Sequence, residues 1–303
     1  MTHSHANTPE SLRLEDLGSL AAWVTWAHTI QHPAPDLSTL RRSASLPSGE
    51  HAARAQPFRQ VTAATLGNVD ALPGWLYLRP PDVSVVEVPQ PAAGTDVATA
   101  LAAGVRAADA AIDSGADLVV PVIGPMGPAT HSAAAIAVAT LVPAEPVWVL
   151  GFQRRAAPAI AGYADTVYCD DASWMRRCCA VRDAAWQARS SDAEALLEQL
   201  AEPNFCTLVG ALLQLADRST AVLLDGPLTA AAALVASRIN LFAADSYYAP
   251  QRHGDAAERY ALDSMGLESI ADLGLRCGHG IGALLLLPVL QAALAAHHIA
   301  AEH

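Results

Sequence analysis

The sequence predicts an α/β fold: a Rossmann-like parallel sheet with helices on both faces, and a small helical subdomain from the N- and C-terminal segments. Three observations predict it. Short runs around Leu118–Ile123 and Ala221–Leu224 are apolar throughout and end at glycine or Asp-Gly, as strands buried on both faces do. Helical stretches alternate with these runs, the order of a parallel sheet with crossover helices. Apolar residues make up 52% of the chain and aromatics 5%, and much of the apolar share is alanine, which favours closely packed helices.

Residues 1–10 are expected to be a disordered tail. Residues 11–30 place Leu12, Leu17, Leu20, Trp23 and Ala27 at helical spacing, which predicts an amphipathic helix. Residues 31–60 are rich in proline, serine and arginine, without periodicity, and predict a long connection. Residues 74–78 and 84–88 fit short strands, which Pro80, Pro81, Pro89 and Pro91 confine to short or edge positions. A regular alternation follows: helix 95–114, strand 116–124, helix 131–141, strand 146–151, then helices 171–188, 192–202 and 204–217. Strand 221–226 leads into helix 228–238, residues Glu268 to Arg276 fit a helix, and the last 50 residues are mostly helical. The expected division is one α/β domain over 11–303, with its core at about 84–250 and the helical subdomain built from 11–30 and 251–300.

The chain has 303 residues and a net charge of −12, from 18 basic and 30 acidic side chains. Non-specific nucleic-acid binding needs a basic footprint and is excluded. A small anion is not, because a few arginines and helix N-termini suffice to hold one phosphate. The longest apolar stretch, Ile281 to Ala296, is interrupted by Pro288 and Gln291. It falls short of the roughly 20 residues that span a bilayer. The N-terminus has neither the basic region nor the apolar core of a signal peptide. Cys169, Cys178, Cys179, Cys206 and Cys277 have no zinc-ligand spacing. They are expected to be reduced thiols of a cytoplasmic protein, with no bound metal.

Ligands of open parallel sheets sit beyond the carboxyl ends of the strands. That rule selects Gly124–Gly127, the loop at Gly151, and Asp225-Gly226-Pro227. Glycine there either admits a ligand to the backbone or merely permits a tight turn. Thr130, His131 and Ser132 open the next helix, as N-caps or as a phosphate cradle. No Gly-Lys-Ser/Thr of a Walker loop is present. Gly278-His279-Gly280-Ile281-Gly282-Ala283 partly fits a dinucleotide fingerprint. The preceding residues do not fit a strand, however, and too little chain follows. A histidine between glycines is nonetheless a candidate site residue. Arg176, Arg177 and Arg182 fall on one helix and Arg252 in a polar loop. They serve either a solvated surface or an anion.

Two blocks carry a family likeness: Val222 to Ala236, and Tyr260 to Ala283 followed by an apolar Leu-Pro helix. They resemble the C-terminal part of the nicotinate-nucleotide:dimethylbenzimidazole phosphoribosyltransferase family, with the likeness covering roughly residues 95–295. The resemblance implies a homodimer with a Rossmann-like fold. It implies transfer of phosphoribose from nicotinate mononucleotide to a benzimidazole nitrogen in cobalamin lower-ligand synthesis, with no cofactor. The family's Gly-Glu-Gly-Thr-Gly-Ala falls on Gly278–Ala283, so its proposed base, a glutamate, is replaced by His279. The family's Gly-Glu-Met-Gly-Ile-Gly-Asn-Thr-Thr-Ser loop falls on Gly124–Ser132 with one residue deleted and Pro125 in place of glutamate. A phosphate-binding lysine falls near Arg177, and the His-Arg-Ser loop falls on Gln251-Arg252-His253. The family's Gly-Asp-His-Gly segment has no counterpart.

By this likeness His279 is the catalytic base. Gly124, Gly127, Thr130, His131, Ser132, Arg177, Asp225, Gly226, Arg252, Gly278 and Gly280 bind the nucleotide and its phosphate. A histidine base must be neutral when it acts, which an ordinary pKa of about 6.5 permits. The implied function is a divergent phosphoribosyltransferase, a pentosyltransferase if active, whose acceptor is open. The alternative is a non-catalytic paralogue that binds a nucleotide or cobamide precursor, or regulates an active partner.

Overall fold

Five short strands form one sheet, all parallel, in a computed structural model that describes residues 19–31, 58, 60–67, 83–150, 171–275 and 278–301. The strands are β1 (Val61–Leu66), β2 (Ser84–Val88), β3 (Leu118–Ile123), β4 (Ala221–Leu223) and β5 (Tyr247–Tyr248). They lie in the order β2-β1-β3-β4-β5. β3 is central and buried at every position, so both of its faces are covered. β2 is an edge strand and leaves three of its five residues exposed. In this doubly wound order the chain reverses direction between β1 and β3, which places a ligand crevice at their carboxyl ends. The register pairs Leu66 with Ile123, so the two strands end level.

β1 is absent from the sequence expectation. Its Val-Thr-Ala-Ala-Thr-Leu is strand-forming chiefly through threonine and valine, and it abuts the proline-rich stretch that hides it. The strand expected at 74–78 and the tail at 1–10 lie outside the described residues.

The helices are α1 (Leu20–Gln31), α2 (Val97–Asp113), α3 (Pro128–Leu141), α4 (Pro146–Leu150) and α5 (Asp171–Ala188). Then come α6 (Ala193–Leu200), α7 (Pro203–Asp217), α8 (Pro227–Ile239), α9 (Ala256–Met265) and α10 (Ile281–Ala301). Their starts are written in the sequence. Asp96, Asp192, Glu202 and Asp255 accept backbone N–H groups as N-caps. Proline opens α3, α7 and α8, where its missing N–H costs nothing.

Two expectations are corrected. The run at 146–150 is helix α4, not a strand. Proline sets the first turn, and the N–H groups of Trp148 and Val149 turn back to Glu145 O; five apolar residues alone do not separate the two states. Gly151 lies outside the described residues. Residues Glu268 to Leu275 are irregular rather than helical. Gly266 ends α9 in a left-handed C-cap. The backbone of Ala271 then bonds Pro250 and Arg252 instead of its own helix.

The chain forms two units, one over residues 60–286 and one of 1–59 with 287–303. In the second, Trp23 packs on Trp26 and Phe58, and its indole N–H donates to Leu290 O at 3.0 Å. Every site residue described below belongs to the first. Cys179 and Cys206 are free thiols, while Cys169 and Cys277 lie outside the described residues. Among the described residues no helix is long and apolar enough to cross a membrane.

In the first unit α2 and α7 approach at two glycines. A Cβ on Gly104 would lie 2.0 Å from Thr207 O, and one on Gly210 would lie 2.2 Å from Leu101 O. These obstacles are backbone and cannot rotate away. Alanine is the better helix former by about 1 kcal/mol, yet forcing the helices apart typically costs about 1–3 kcal/mol. Gly104→Ala therefore destabilises the chain on balance, read as a lower urea midpoint at an unchanged slope.

Candidate active site

The crevice between β1 and β3 is closed by a turn from far along the chain. Gly278, His279 and Gly280 have φ of 53°, 61° and 84°. Positive φ suits glycine and is uncommon for histidine, so this turn is held by its surroundings. The Ile123 N–H at the end of β3 donates to His279 O at 3.2 Å. His279 Nδ1 lies 2.6 Å from Ile123 O. A carbonyl only accepts, so Nδ1 carries the proton and the ring's lone pair is on Nε2. The turn lies directly on the strand: a Cβ at Gly280 would be 2.6 Å from Pro121 O. Gly226 and Gly278 also meet backbone to backbone, since a Cβ at Gly226 would fall 2.8 Å from Gly278 Cα. At Gly226, Gly278 and Gly280 glycine is therefore needed for close packing of protein on protein.

Beneath the turn is a buried polar cluster. Asp225, Gln251, His253 and Glu258 are each at most 6% exposed. Asp225 Oδ2 accepts the Gly282 N–H at 2.8 Å, in the first turn of α10. Asp225 Oδ1 lies 3.1 Å from Gln251 Nε2 and 3.1 Å from His253 Nε2. His253 Nδ1 lies 2.8 Å from Glu258 Oε1. Glu258 also accepts the backbone N–H groups of His253 (2.9 Å) and Gly226 (3.2 Å). A carboxylate lies on each ring nitrogen, which favours the charged form of His253, and the Gln251 amide nitrogen also lies 2.5 Å from His253 Nε2. Four segments are thereby joined: the loops after β4 and β5, the start of α9 and the start of α10.

The electrostatics separate three histidines. Burial pushes His253 down, but hydrogen bonds and charges from Asp225 and Glu258 outweigh it and raise the pKa to about 10. Burial lowers His279, and the charge on His253 adds to that; Ile123 O and Asp225 oppose without prevailing. His131 is lowered to about 4 by burial and by the nearby His279 and Arg177. At neutral pH His253 is charged, while His279 and His131 are not. His279 and Arg177 are each within electrostatic reach of His131. Among the described residues no three His, Cys, Asp or Glu side chains converge as a metal-ion set.

The remaining nucleotide candidates fall into two groups. Gly127 is the exposed N-cap of α3, with open space where a side chain would be. His131 and Ser132 follow it half-buried, and Arg177 is half-buried on α5. The others are engaged within the fold. The Gly124 N–H donates to Leu66 O at 2.8 Å, Thr130 Oγ1 donates to Glu202 Oε1 at 3.0 Å, and the Gly226 N–H is held by Glu258. Arg252 donates its backbone N–H to Ala271 O, with its side chain half-exposed. Ser132 lines a cavity of about 570 Å³ together with Gln90, Gln187, Gln199 and Asn204. The sequence gives no reason to select Gln251, His253 or Glu258 as interior residues. Each is a polar residue in or beside a loop, where solvation is the ordinary expectation.

The histidine assignments fix how stability depends on pH. His253 binds its proton more tightly folded than unfolded, so its contribution is full below about pH 6.5. That contribution is lost as pH rises through about 10. His131 works the other way: its contribution is full above about pH 6.5 and is lost as pH falls through about 4. His279 shifts in the same direction as His131. Urea unfolding across pH should show maximal stability near neutrality and a decline on each side. His131→Asn should flatten the acid limb and leave the alkaline limb in place.

Comparison with known proteins agrees with this architecture. A phosphoribosyltransferase family model matches residues 90–303. Over 198 residues the chain is 41% identical to a nicotinate-nucleotide–dimethylbenzimidazole phosphoribosyltransferase of Streptomyces avermitilis, covering 65% of this chain and 49% of that protein. Over 203 residues it is 39% identical to the protein of the same name from Mycobacterium tuberculosis, covering 66% and 52%. The chain thus spans about half the length of the curated relatives it matches. The fold resembles the crystal structure of the corresponding Thermus thermophilus protein, with a TM-score of 0.59 at 19% identity over 92% of this chain and 95% of that one. With a family model matched over more than two thirds of its length, the chain belongs to the nicotinate-nucleotide–dimethylbenzimidazole phosphoribosyltransferase family.

Proposed function

We propose that the chain is a divergent phosphoribosyltransferase that moves phosphoribose from nicotinate mononucleotide to an azole nitrogen, with His279 as the base. The observation that carries this reading is the His279 turn. It sits at the switch point of the sheet, with Nδ1 tied to Ile123 O so that the ring's basic nitrogen is Nε2. In this reading the azole nitrogen attacks ribose C1′. The C1′–N bond to nicotinate breaks, and its electrons neutralise the pyridinium nitrogen as nicotinate leaves. The azole proton passes to His279 Nε2. A neutral imidazole can accept it, and burial keeps His279 neutral. The substrate phosphate lies at the open N-terminus of α3, at Gly127, beside His131, Ser132 and Arg177. The protein acts as a cytoplasmic homodimer, as the family likeness implies.

A second reading is a non-catalytic paralogue that binds a nucleotide, and one observation favours it. Gly124, Thr130 and Gly226 spend their donors on Leu66, Glu202 and Glu258, which leaves a reduced phosphate cradle.

Incubation with nicotinate mononucleotide and a panel of azoles separates the two. The first reading expects nicotinate release, reduced about 10²–10⁴-fold in His279→Ala, the usual worth of a positioned base. Calorimetric binding of nicotinate mononucleotide with no release by the unaltered chain supports the second. Release that is identical in His279→Ala removes His279 from the chemistry.

A further inference from the structure

We propose that His253 is a positioning residue for His279: it clamps Asp225 from below, and Asp225 in turn fixes the first turn of α10, which carries the histidine turn. The inference rests on the reading of His279 as the site's base, but its geometry stands independently. His253 Nε2 holds Asp225 Oδ1 at 3.1 Å, and Asp225 Oδ2 holds the Gly282 N–H at 2.8 Å. Gly282 lies three residues after His279 and has no room for a side chain. A Cβ there would meet Gln251 Nε2 at 2.3 Å and Asp225 Oδ1 at 2.8 Å. On its other side His253 is held by Glu258, which also binds the Gly226 N–H. Gly226 packs on Gly278, the residue before His279. The two ends of the His279 turn are therefore both tied to His253, one through Asp225 and one through Glu258.

The clamp also sets the charge that His279 experiences. The groups facing His279 are Ile123 O from β3, His131 from α3, Asp225 from the loop after β4 and His253 from the loop after β5. Arg177 on α5 acts on His131. His253 supplies the positive charge between two buried carboxylates. Without it, the negative charge of Asp225 would act on His279 unopposed and favour its protonated form. A protonated His279 could not serve as a base.

Imidazole NMR of the 303-residue chain tests this without any turnover, so failure of the transferase reading does not affect it. The His279 signals are assigned by their loss in His279→Gln. In the unaltered protein, the His279 ring resonances should shift a second time at alkaline pH, with the midpoint at which His253 itself loses its proton. In His253→Gln the His279 midpoint should move up, and the preference for the Nδ1–H form should weaken. In Asp225→Asn, with Glu258 still holding His253 charged, the His279 midpoint should move down. Opposite shifts from two changes in one cluster are not expected of generic loosening. The proposal is overturned if the unaltered protein shows no alkaline inflection at His279. It is equally overturned if a folded His253→Gln chain keeps the His279 midpoint and tautomer.

Discussion

The contact on which the site depends is the two-way bond between Ile123 and His279. The last residue of β3 donates its N–H to the turn, and its carbonyl accepts the imidazole N–H in return. A residue 156 positions away is thereby brought to the carboxyl end of the central strand. Loop closure over so long a separation is entropically unfavourable. The structure offsets it with the Gly226–Gly278 contact and the Asp225–Gly282 bond, both in the same few ångströms. The left-handed backbone at His279 follows from those ties. A side chain in that conformation needs surroundings that determine its position.

The chemistry of the site follows from the same contact. Tying Nδ1 to a carbonyl selects one tautomer, and burying the ring disfavours its charged form. The cluster below then separates three histidines of similar intrinsic basicity. His253, between two carboxylates, keeps its proton, while His131 and His279, near each other and near cations, do not. Divergence of environments among titratable groups is what lets one site assign acid and base roles.

Much of this was legible in the chain. Continuous apolar runs at Leu118–Ile123 and Ala221–Leu223 announced central parallel strands, and the helical stretches around them placed α2, α6 and α7 to within a few residues. The glycines around His279 singled out the turn. What escaped has physical reasons. β1 is built of alanine and threonine and lacks a strong apolar signal. The five residues at 146–150 are too few for periodicity to separate helix from strand. His253 and Glu258 sit in polar sequence, and only tertiary contact with Asp225 and Gly226 shows them to be interior. Thr130 has the identity of a phosphate ligand, but its rotamer turns it to Glu202.

The central claim is that the His279 turn is where a nucleotide meets the protein. It is tested most directly by a crystal structure of the chain with nicotinate mononucleotide. The account predicts ribose C1′ beside His279 Nε2 and the phosphate at the N-terminus of α3, near Gly127 and Arg177. A nucleotide bound away from that turn, for example in the cavity lined by Gln90 and Asn204, would contradict it.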